Sequence, residues 1–234
     1  MVANRHRFVI ALTALVVLAL LLPADASAHN VSKRDAAFVV ANQGRAIVAF
    51  LYLGAKHMVT GYDHLLFLVG VIFFLYKLKD VVQYVSLFTI GHSVTLLLGV
   101  LGGLHANSYI VDAIIGFSVV YKAFDNMDGF TRVFGFQPNT RLAVLIFGLF
   151  HGFGLATKLQ ELAPSQQGLV ANIVSFNVGV EIGQVVALTA VFIGLSYWRT
   201  RTGFLRHAFV TNTWLMVGGF MLVGYQLTGY VVTQ

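Results

Sequence analysis

The chain contains no cysteine, which excludes disulfide bonds, thiolate nucleophiles and thiolate metal ligands. Charged residues are also scarce, at 10% of 234 residues, whereas soluble domains carry about 25%. Hydrophobic residues make up 58% of the chain, and its mean hydropathy is +0.80. No basic patch with interleaved aromatic residues occurs, so we expect no nucleic-acid partner. The composition predicts an all-α protein that crosses the lipid bilayer several times.

The N-terminal residues have the pattern of a cleavable signal peptide. Arg5 and Arg7 precede an apolar run at 8–22, and Ala26-Ser27-Ala28 is typical of a cleavage site. An uncleaved first helix is the alternative; cleavage would make His29 the first mature residue. The predicted domains are a signal peptide at 1–28, an outer-side amphipathic segment at 29–56 and a transmembrane domain at 57–234.

Hydropathy predicts a bundle of about six membrane-spanning helices after the signal peptide. Lys and Arg are concentrated in alternate loops, which places those loops in the cytoplasm. The mature N- and C-termini would then both lie on the periplasmic side of the inner membrane. The net charge of +6 is explained by this topology rather than by an anionic partner. The predicted spans are 61–78, 82–104, 110–124, 142–159, 169–198 and 208–230.

Four ionisable side chains fall inside apolar runs, where a charge costs roughly 2.5–3.5 kcal/mol on insertion scales. They are His64, His92, His151 and Glu181, on four different predicted helices. A rise of about 1.5 Å per residue places the last three near mid-bilayer and His64 nearer the outer side. We therefore expect one shared polar site, reached from outside. Imidazole and carboxylate ligands without sulfur suit a divalent transition metal ion such as Ni(II), Co(II), Zn(II) or Cu(II).

Two further residues accompany His64 in the first predicted span. His57 is seven residues earlier, so on a continuous helix it shares the face of His64. A position in the headgroup zone is the alternative for His57. Asp63 is rotated by about 100° from His64 on a helix, so we expect it to orient a histidine of a neighbouring helix.

The fifth predicted span carries a narrow polar stripe. Asn177, Glu181 and Gln184 are spaced at i, i+4 and i+7 on an otherwise apolar helix. Glu181 is interpreted as a metal ligand; a protonated, hydrogen-bonded carboxyl group is the alternative. A ridge of small residues beside the stripe is suited to close helix contact. It consists of Gly179, Gly183 and Ala187.

Two carboxylates near the ends of the third predicted span are interpreted as structural. They are Asp112 and Asp125, and a carboxylate at a helix end can remain close to water. Lys122 precedes Asp125 by three residues, which predicts an ion pair between them.

Several strings of this sequence resemble the HupE/UreJ family of bacterial membrane proteins. The resemblance implies a six-span body after a signal peptide, and a role for the Asp63-His64 pair in metal handling. It also implies a nickel or cobalt permease, or an accessory protein of hydrogenase or urease maturation. The matching strings are Gly61-Tyr62-Asp63-His64-Leu65-Leu66-Phe67-Leu68, Phe88-Thr89-Ile90-Gly91-His92-Ser93, His151-Gly152-Phe153-Gly154 and Phe176-Asn177-Val178-Gly179-Val180-Glu181-Ile182-Gly183-Gln184.

The leading hypothesis is a membrane permease or metal-binding protein for nickel or cobalt. An intramembrane metal-dependent hydrolase is the alternative, because three histidines with an open coordination position could activate water. A haem-binding electron-transfer subunit and a structural partner in a larger complex also stay open. The candidate metal-site residues are His57, Asp63, His64, His92, His151, Asn177, Glu181 and Gln184.

Overall fold

Helices are the only regular secondary structure in the part of the chain that the computed structural model describes, which is residues 37–38, 41–42, 44–161 and 167–233. The all-α prediction is confirmed there. The predicted signal peptide at 1–28 and the possible first mature residue, His29, lie outside the described residues. The helices are α1 Ile47–Thr60, α2 Tyr62–Ile72, α3 Leu78–Gly102, α4 Ser108–Asn126, α5 Gly129–Phe134, α6 Thr140–Glu161, α7 Leu169–Arg199 and α8 Phe204–Val232.

Four of these helices are long and apolar enough to cross a membrane: α3, α6, α7 and α8. The outward face of α8 leaves large apolar side chains exposed, including Trp214 and Met221. Such a surface is unfavourable in water and suits contact with lipid chains. The protein is therefore a multi-pass membrane protein.

The first predicted span differs from the structure. Helix α2 begins at Tyr62, where that span was expected, but it ends at Ile72 rather than near residue 78, and α1 ends directly before it at Thr60. Between them Gly61 has extended backbone angles, with φ −75° and ψ 90°, and its N–H donates to His57 O at 2.7 Å. Helix α1 also runs across the expected boundary at residue 56 between the amphipathic segment and the transmembrane domain. Hydropathy alone did not indicate that one helix ends and another begins at this glycine.

Helices α1 and α7 run parallel and touch through their backbones. A Cβ atom on Gly54 would overlap the carbonyl oxygen of Phe176, and one on Gly179 would overlap that of Leu51. A Cβ on Gly183 would lie 2.6 Å from Ala55 O. The predicted close contact along Gly179 and Gly183 is therefore confirmed. In a bilayer, this kind of close packing takes the place of the hydrophobic effect in holding helices together.

Glycine also permits two other close helix pairs. Helices α3 and α6 run parallel, and Gly91, Gly148 and Gly152 lie where a side chain would strike the opposite backbone. Helices α4 and α8 run antiparallel, with Gly116 and Gly219 at their crossing. The bundle therefore consists of three close pairs, with α2 lying among α4, α7 and α8.

Helices α1 and α2 together follow α7 along its length. At one end the Ala46 N–H donates to Asn172 Oδ1 at 2.8 Å. At the other end the guanidinium group of Arg199 donates to Ile72 O and Phe73 O, each at 2.6 Å, and to Leu75 O at 2.8 Å. The carbonyl groups at the C-terminus of α2 and just beyond it thus obtain donors from the end of α7.

We expect Arg199→Met to destabilise the protein by about 1–3 kcal/mol, because it removes the guanidinium donors from buried carbonyl groups at the end of α2. The measurement is the thermal unfolding midpoint in detergent. Arg201→Met is the matched control, since the Arg201 side chain is exposed and contacts the side chain of Tyr197, which is itself exposed. Its expected effect is within about 0.5 kcal/mol. Equal midpoints for the two variants would contradict the assigned role of Arg199.

Candidate functional site

Four imidazoles meet inside the bundle, and we call this group the histidine cluster: His57, His64, His92 and His151. His64 lies at its centre. The centroid of its ring is 4.6 Å from that of His151, 5.2 Å from that of His57 and 5.9 Å from that of His92. His64, His92 and His151 are each at most 1% exposed. The structure thus brings together all four sequence-predicted histidines.

The local sequence explains how the rings come together. The break at Gly61 lets α2 start inside the bundle, so that His64 stands in the first turn of a new helix. On the other side, Gly152 has no Cβ to strike the His92 carbonyl, so α3 and α6 approach closely. The rings of His92 and His151 both pack against Phe88, at centroid distances of 6.0 and 5.1 Å. The cluster is therefore surrounded by apolar aromatic side chains.

Asp63 contacts the histidine that follows it in the chain. Its Oδ1 atom lies 3.0 Å from His64 Nδ1, and both side chains are buried. The expectation that Asp63 orients a histidine of a neighbouring helix stays a prediction. The 100° rotation concerns the Cα–Cβ directions, whereas these side chains can turn towards each other at the end of a helix. With a proton on Nδ1, Asp63 holds the ring so that Nε2 is the basic nitrogen.

Several buried ring nitrogens have no hydrogen-bond partner among the described residues: His57 Nε2, His64 Nε2 and His92 Nε2. Burying a polar atom without a partner costs free energy, so such atoms are uncommon in proteins and require an explanation. Three of them in one cluster indicate a ligand that accepts lone pairs or donates protons.

His151 is oriented by the hydroxyl group of Ser118 on α4. Ser118 Oγ donates to Ile115 O at 2.6 Å and lies 3.2 Å from His151 Nε2. Because the serine proton is used by the carbonyl, the hydroxyl oxygen accepts and His151 Nε2 carries the proton. This arrangement makes Nδ1 the basic nitrogen of His151. Sequence reasoning missed Ser118, whose only signal is a hydroxyl group within an apolar helix.

Two of the three residues in the polar stripe of α7, Asn177 and Gln184, contact α3. Asn177 Nδ2 donates to Ser93 Oγ at 2.7 Å, and Thr89 Oγ1 donates to Gln184 Oε1 at 3.3 Å. The Asn177 amide also interacts with the His92 side chain. Asn177 therefore borders the histidine cluster, whereas Gln184 links α7 to α3.

Glu181 does not join the histidine cluster. It is exposed on the surface of the bundle, whereas Asn177 and Gln184 are buried. At 100° per residue Glu181 is about 40° from Asn177 and about 60° from Gln184, so it lies at the flank of the stripe. The interpretation of Glu181 as a ligand of the same site thus has no geometric support.

The two carboxylates interpreted as structural are both in buried ion pairs. Lys122 Nζ lies 2.5 Å from Asp125 Oδ2, as the spacing predicted. Asp112 accepts from Lys158 Nζ at 2.9 Å through each of its oxygens. The sequence did not predict this second pair, although Lys158 follows His151 by seven residues and so shares its helix face.

No group of three or more His, Asp or Glu side chains within the described ranges is arranged to hold a metal ion. The imidazoles contact each other edge to face, with interplanar angles of 74° between His64 and His92 and 86° between His64 and His151. What the site provides is therefore a set of neighbouring nitrogen donors that must rotate before they can coordinate one ion.

Comparison with known proteins identifies one family. A family model described as HupE / UreJ protein matches residues 33–234, a range that includes every helix named above. No curated protein and no solved structure matches the chain.

Proposed function

The chain belongs to the HupE/UreJ family, and from that premise we propose that it is a permease for a divalent transition metal ion, with Ni(II) or Co(II) as its substrate. The ion binds between His64, His92 and His151 and crosses the inner membrane through the bundle. The family is associated in general with nickel and cobalt transport or with accessory roles. Supply of metal for hydrogenase or urease maturation is the corresponding context.

The observation that carries this proposal is the set of buried imidazole nitrogens that have no hydrogen-bond partner in the described part of the chain. A metal ion would satisfy His64 Nε2 and His92 Nε2 at once. Imidazoles bound to one ion through bonds of about 2 Å have ring centres roughly 5 Å apart. The distances of 4.6 Å and 5.9 Å from His64 to His151 and His92 lie on either side of that value. The rings of these two pairs therefore lie close enough to share one ion once their side chains have rotated.

The chemistry of the donors suits these ions. Neutral imidazole binds nickel, cobalt and zinc, and the absence of cysteine removes the thiolate ligands that favour Cu(I). Protons compete with the metal for the same nitrogens, so acidification weakens binding and can couple release to proton entry. Asp63 supports His64 as carboxylates next to metal-binding histidines do.

Six passes accommodate the described helices if α1 and α2 form one broken span. Hydrogen bonds join this stretch to α7 at both ends, at Ala46 and at Leu75. At about 1.5 Å per residue, α1 and α2 together measure roughly 37 Å. Discontinuous helices place binding sites near the bilayer midplane in many transporters. In this arrangement His64 lies deep in the membrane rather than near its outer side.

We propose that the signal peptide is removed and that both mature termini are periplasmic. Basic residues support this orientation, because those in the short connections between spans gather at one end of the bundle. They include Lys77, Lys79, Arg132, Arg141, Arg199, Arg201 and Arg206.

Uptake of radioactive Ni(II) or Co(II) into proteoliposomes tests the proposal. We expect time-dependent accumulation that exceeds that of empty liposomes and that unlabelled Ni(II) or Co(II) reduces. Isothermal titration of the purified protein with the same ions measures binding separately. The absence of both binding and uptake in correctly folded protein would overturn the proposal.

We expect Asp63→Asn to weaken Ni(II) binding by about 10–100-fold, the usual effect of removing a supporting carboxylate. The amide keeps the size of the side chain but no longer stabilises the proton on His64 Nδ1. The measurement is isothermal titration at fixed pH. Asp80→Asn is the control, because Asp80 lies in the first turn of α3, outside the cluster. Equal affinities for the two variants would show that Asp63 does not support His64.

A further inference from the structure

One face of α4 carries buried polar side chains towards both ends of the bundle. Asp112, Ser118, Lys122 and Asp125 are all buried and lie within about 140° around the helix. At about 1.5 Å per residue, Asp112 is roughly 9 Å from Ser118 in one direction and Asp125 roughly 10 Å in the other. Because Ser118 contacts His151, the histidine cluster lies between the two ends of this face.

The Asp112–Lys158 ion pair, here the upper pair, joins α4 to α6. Both carboxylate oxygens accept from the ammonium group at 2.9 Å, and the side chains are 4% and 7% exposed. Lys158 lies seven residues beyond His151 on α6, roughly 10 Å further along the helix. The upper pair therefore lies between the cluster and the end of the bundle where α4 begins.

The Lys122–Asp125 ion pair, here the lower pair, lies on the opposite side of the cluster. Its side chains are 9% and 6% exposed, and the Gln137 amide donates to the second carboxylate oxygen of Asp125. The stem of Lys122 packs beside Gly70 of α2, where a Cβ would be 3.2 Å from Lys122 Cγ. The lower pair thus fills the space between α4 and α2.

We propose that these two ion pairs are the gates of the permeation path, with the upper pair closing the histidine cluster from one side of the membrane and the lower pair from the other. The proposal rests on the proposed permease function. It assigns Asp112, Lys158, Lys122 and Asp125 to the control of access, whereas the metal is bound by the histidines between them.

A buried ion pair stays together while water is excluded, but it adds little to the free energy of folding. Removing both charges from water offsets most of their attraction. When water reaches the pair, each charge regains its hydration and the two can separate. Each pair therefore has a dry closed arrangement and a hydrated open one. Two such pairs on opposite sides of one site allow access from one side at a time.

The absence of cysteine in the native chain provides a direct test. Ser118→Cys introduces one thiol beside His151, between the two gates. It is labelled with a membrane-impermeant maleimide added to right-side-out or inside-out vesicles. We expect slow labelling from both sides. Combining Lys158→Met with Ser118→Cys should accelerate labelling at least tenfold from one side of the membrane only. Combining Lys122→Met with Ser118→Cys should accelerate it from the opposite side only. A tenfold change corresponds to about 1.4 kcal/mol in the opening equilibrium.

Two controls separate a gate from general loosening. The charge-reversed variant, Asp112→Lys with Lys158→Asp, should restore slow labelling. Lys79→Met, which removes an exposed lysine, should leave it slow. If Lys158→Met does not fold, Asp112→Asn breaks the same pair and should give the same one-sided acceleration.

Acceleration from both sides by either variant, or none in folded protein, would overturn the gate assignment. Titration of the wild type with Ni(II) tests the proposed function independently. Metal binding without one-sided labelling rejects the gates alone, whereas one-sided labelling without metal binding or uptake rejects the permease.

Discussion

His64→Ala is expected to lower the affinity for Ni(II) by at least about a hundredfold, which corresponds to about 2.7 kcal/mol. His64 is the central ring of the cluster and the only one in contact with the other three among the described ring contacts. Its removal deletes one donor and leaves Asp63 buried without the imidazole that it holds. The measurement is isothermal titration of purified protein, together with uptake into proteoliposomes.

The matched control is His207→Ala, which removes an exposed histidine in the first turn of α8. It should leave both affinity and uptake unchanged. Thermal unfolding of each variant shows whether it is folded. If His64→Ala is folded and binds Ni(II) as tightly as His207→Ala does, the histidine cluster is not the metal site.

The second large effect is expected from Gly179→Ala. One added methyl group meets the Leu51 carbonyl of α1, and a backbone atom cannot move aside as a flexible side chain can. Overpacking of this kind costs about 1–3 kcal/mol, and a rigid backbone contact places the effect near the upper limit. The expected result is a thermal midpoint several degrees below that of the wild type in detergent.

Gly194→Ala is the control for this substitution. It lies on the same helix, α7, but has no atom within 4 Å of the position that a Cβ would occupy. Alanine also favours the helical conformation over glycine, so the control should be neutral or slightly stabilising. Equal losses in the two variants would show that glycine is not required for the contact between α1 and α7.

Composition and pattern predicted much of this protein. Scarce charge and long apolar runs predicted an all-helical membrane protein, because only a helix satisfies its backbone internally in lipid without a partner strand. Placing an imidazole at membrane depth costs free energy, so His64, His92 and His151 stood out in the sequence as candidates for a shared site. The structure brings these three residues together. Small residues at four-residue spacing predicted the contact of Gly179 and Gly183 with α1. Each of these signals is local to one helix.

Other features depended on geometry that a single helix does not carry. The break at Gly61 is invisible to hydropathy, since glycine is tolerated both within helices and between them. Glu181 belongs to a polar stripe in sequence, yet a rotation of about 40° is enough to leave it on the outside. The partner of Asp112 could not be identified, because Lys158 lies 46 residues away and only the tertiary fold joins them.

The contact between α1 and α7 also constrains how the chain is made. Ala46 and its partner Asn172 are separated by 126 positions, so α1 is synthesised long before α7. Until α7 follows, the glycine face of α1 lacks the backbone that it packs against in the folded bundle. This contact is therefore made late in the assembly of the protein, and truncation before α7 would remove it.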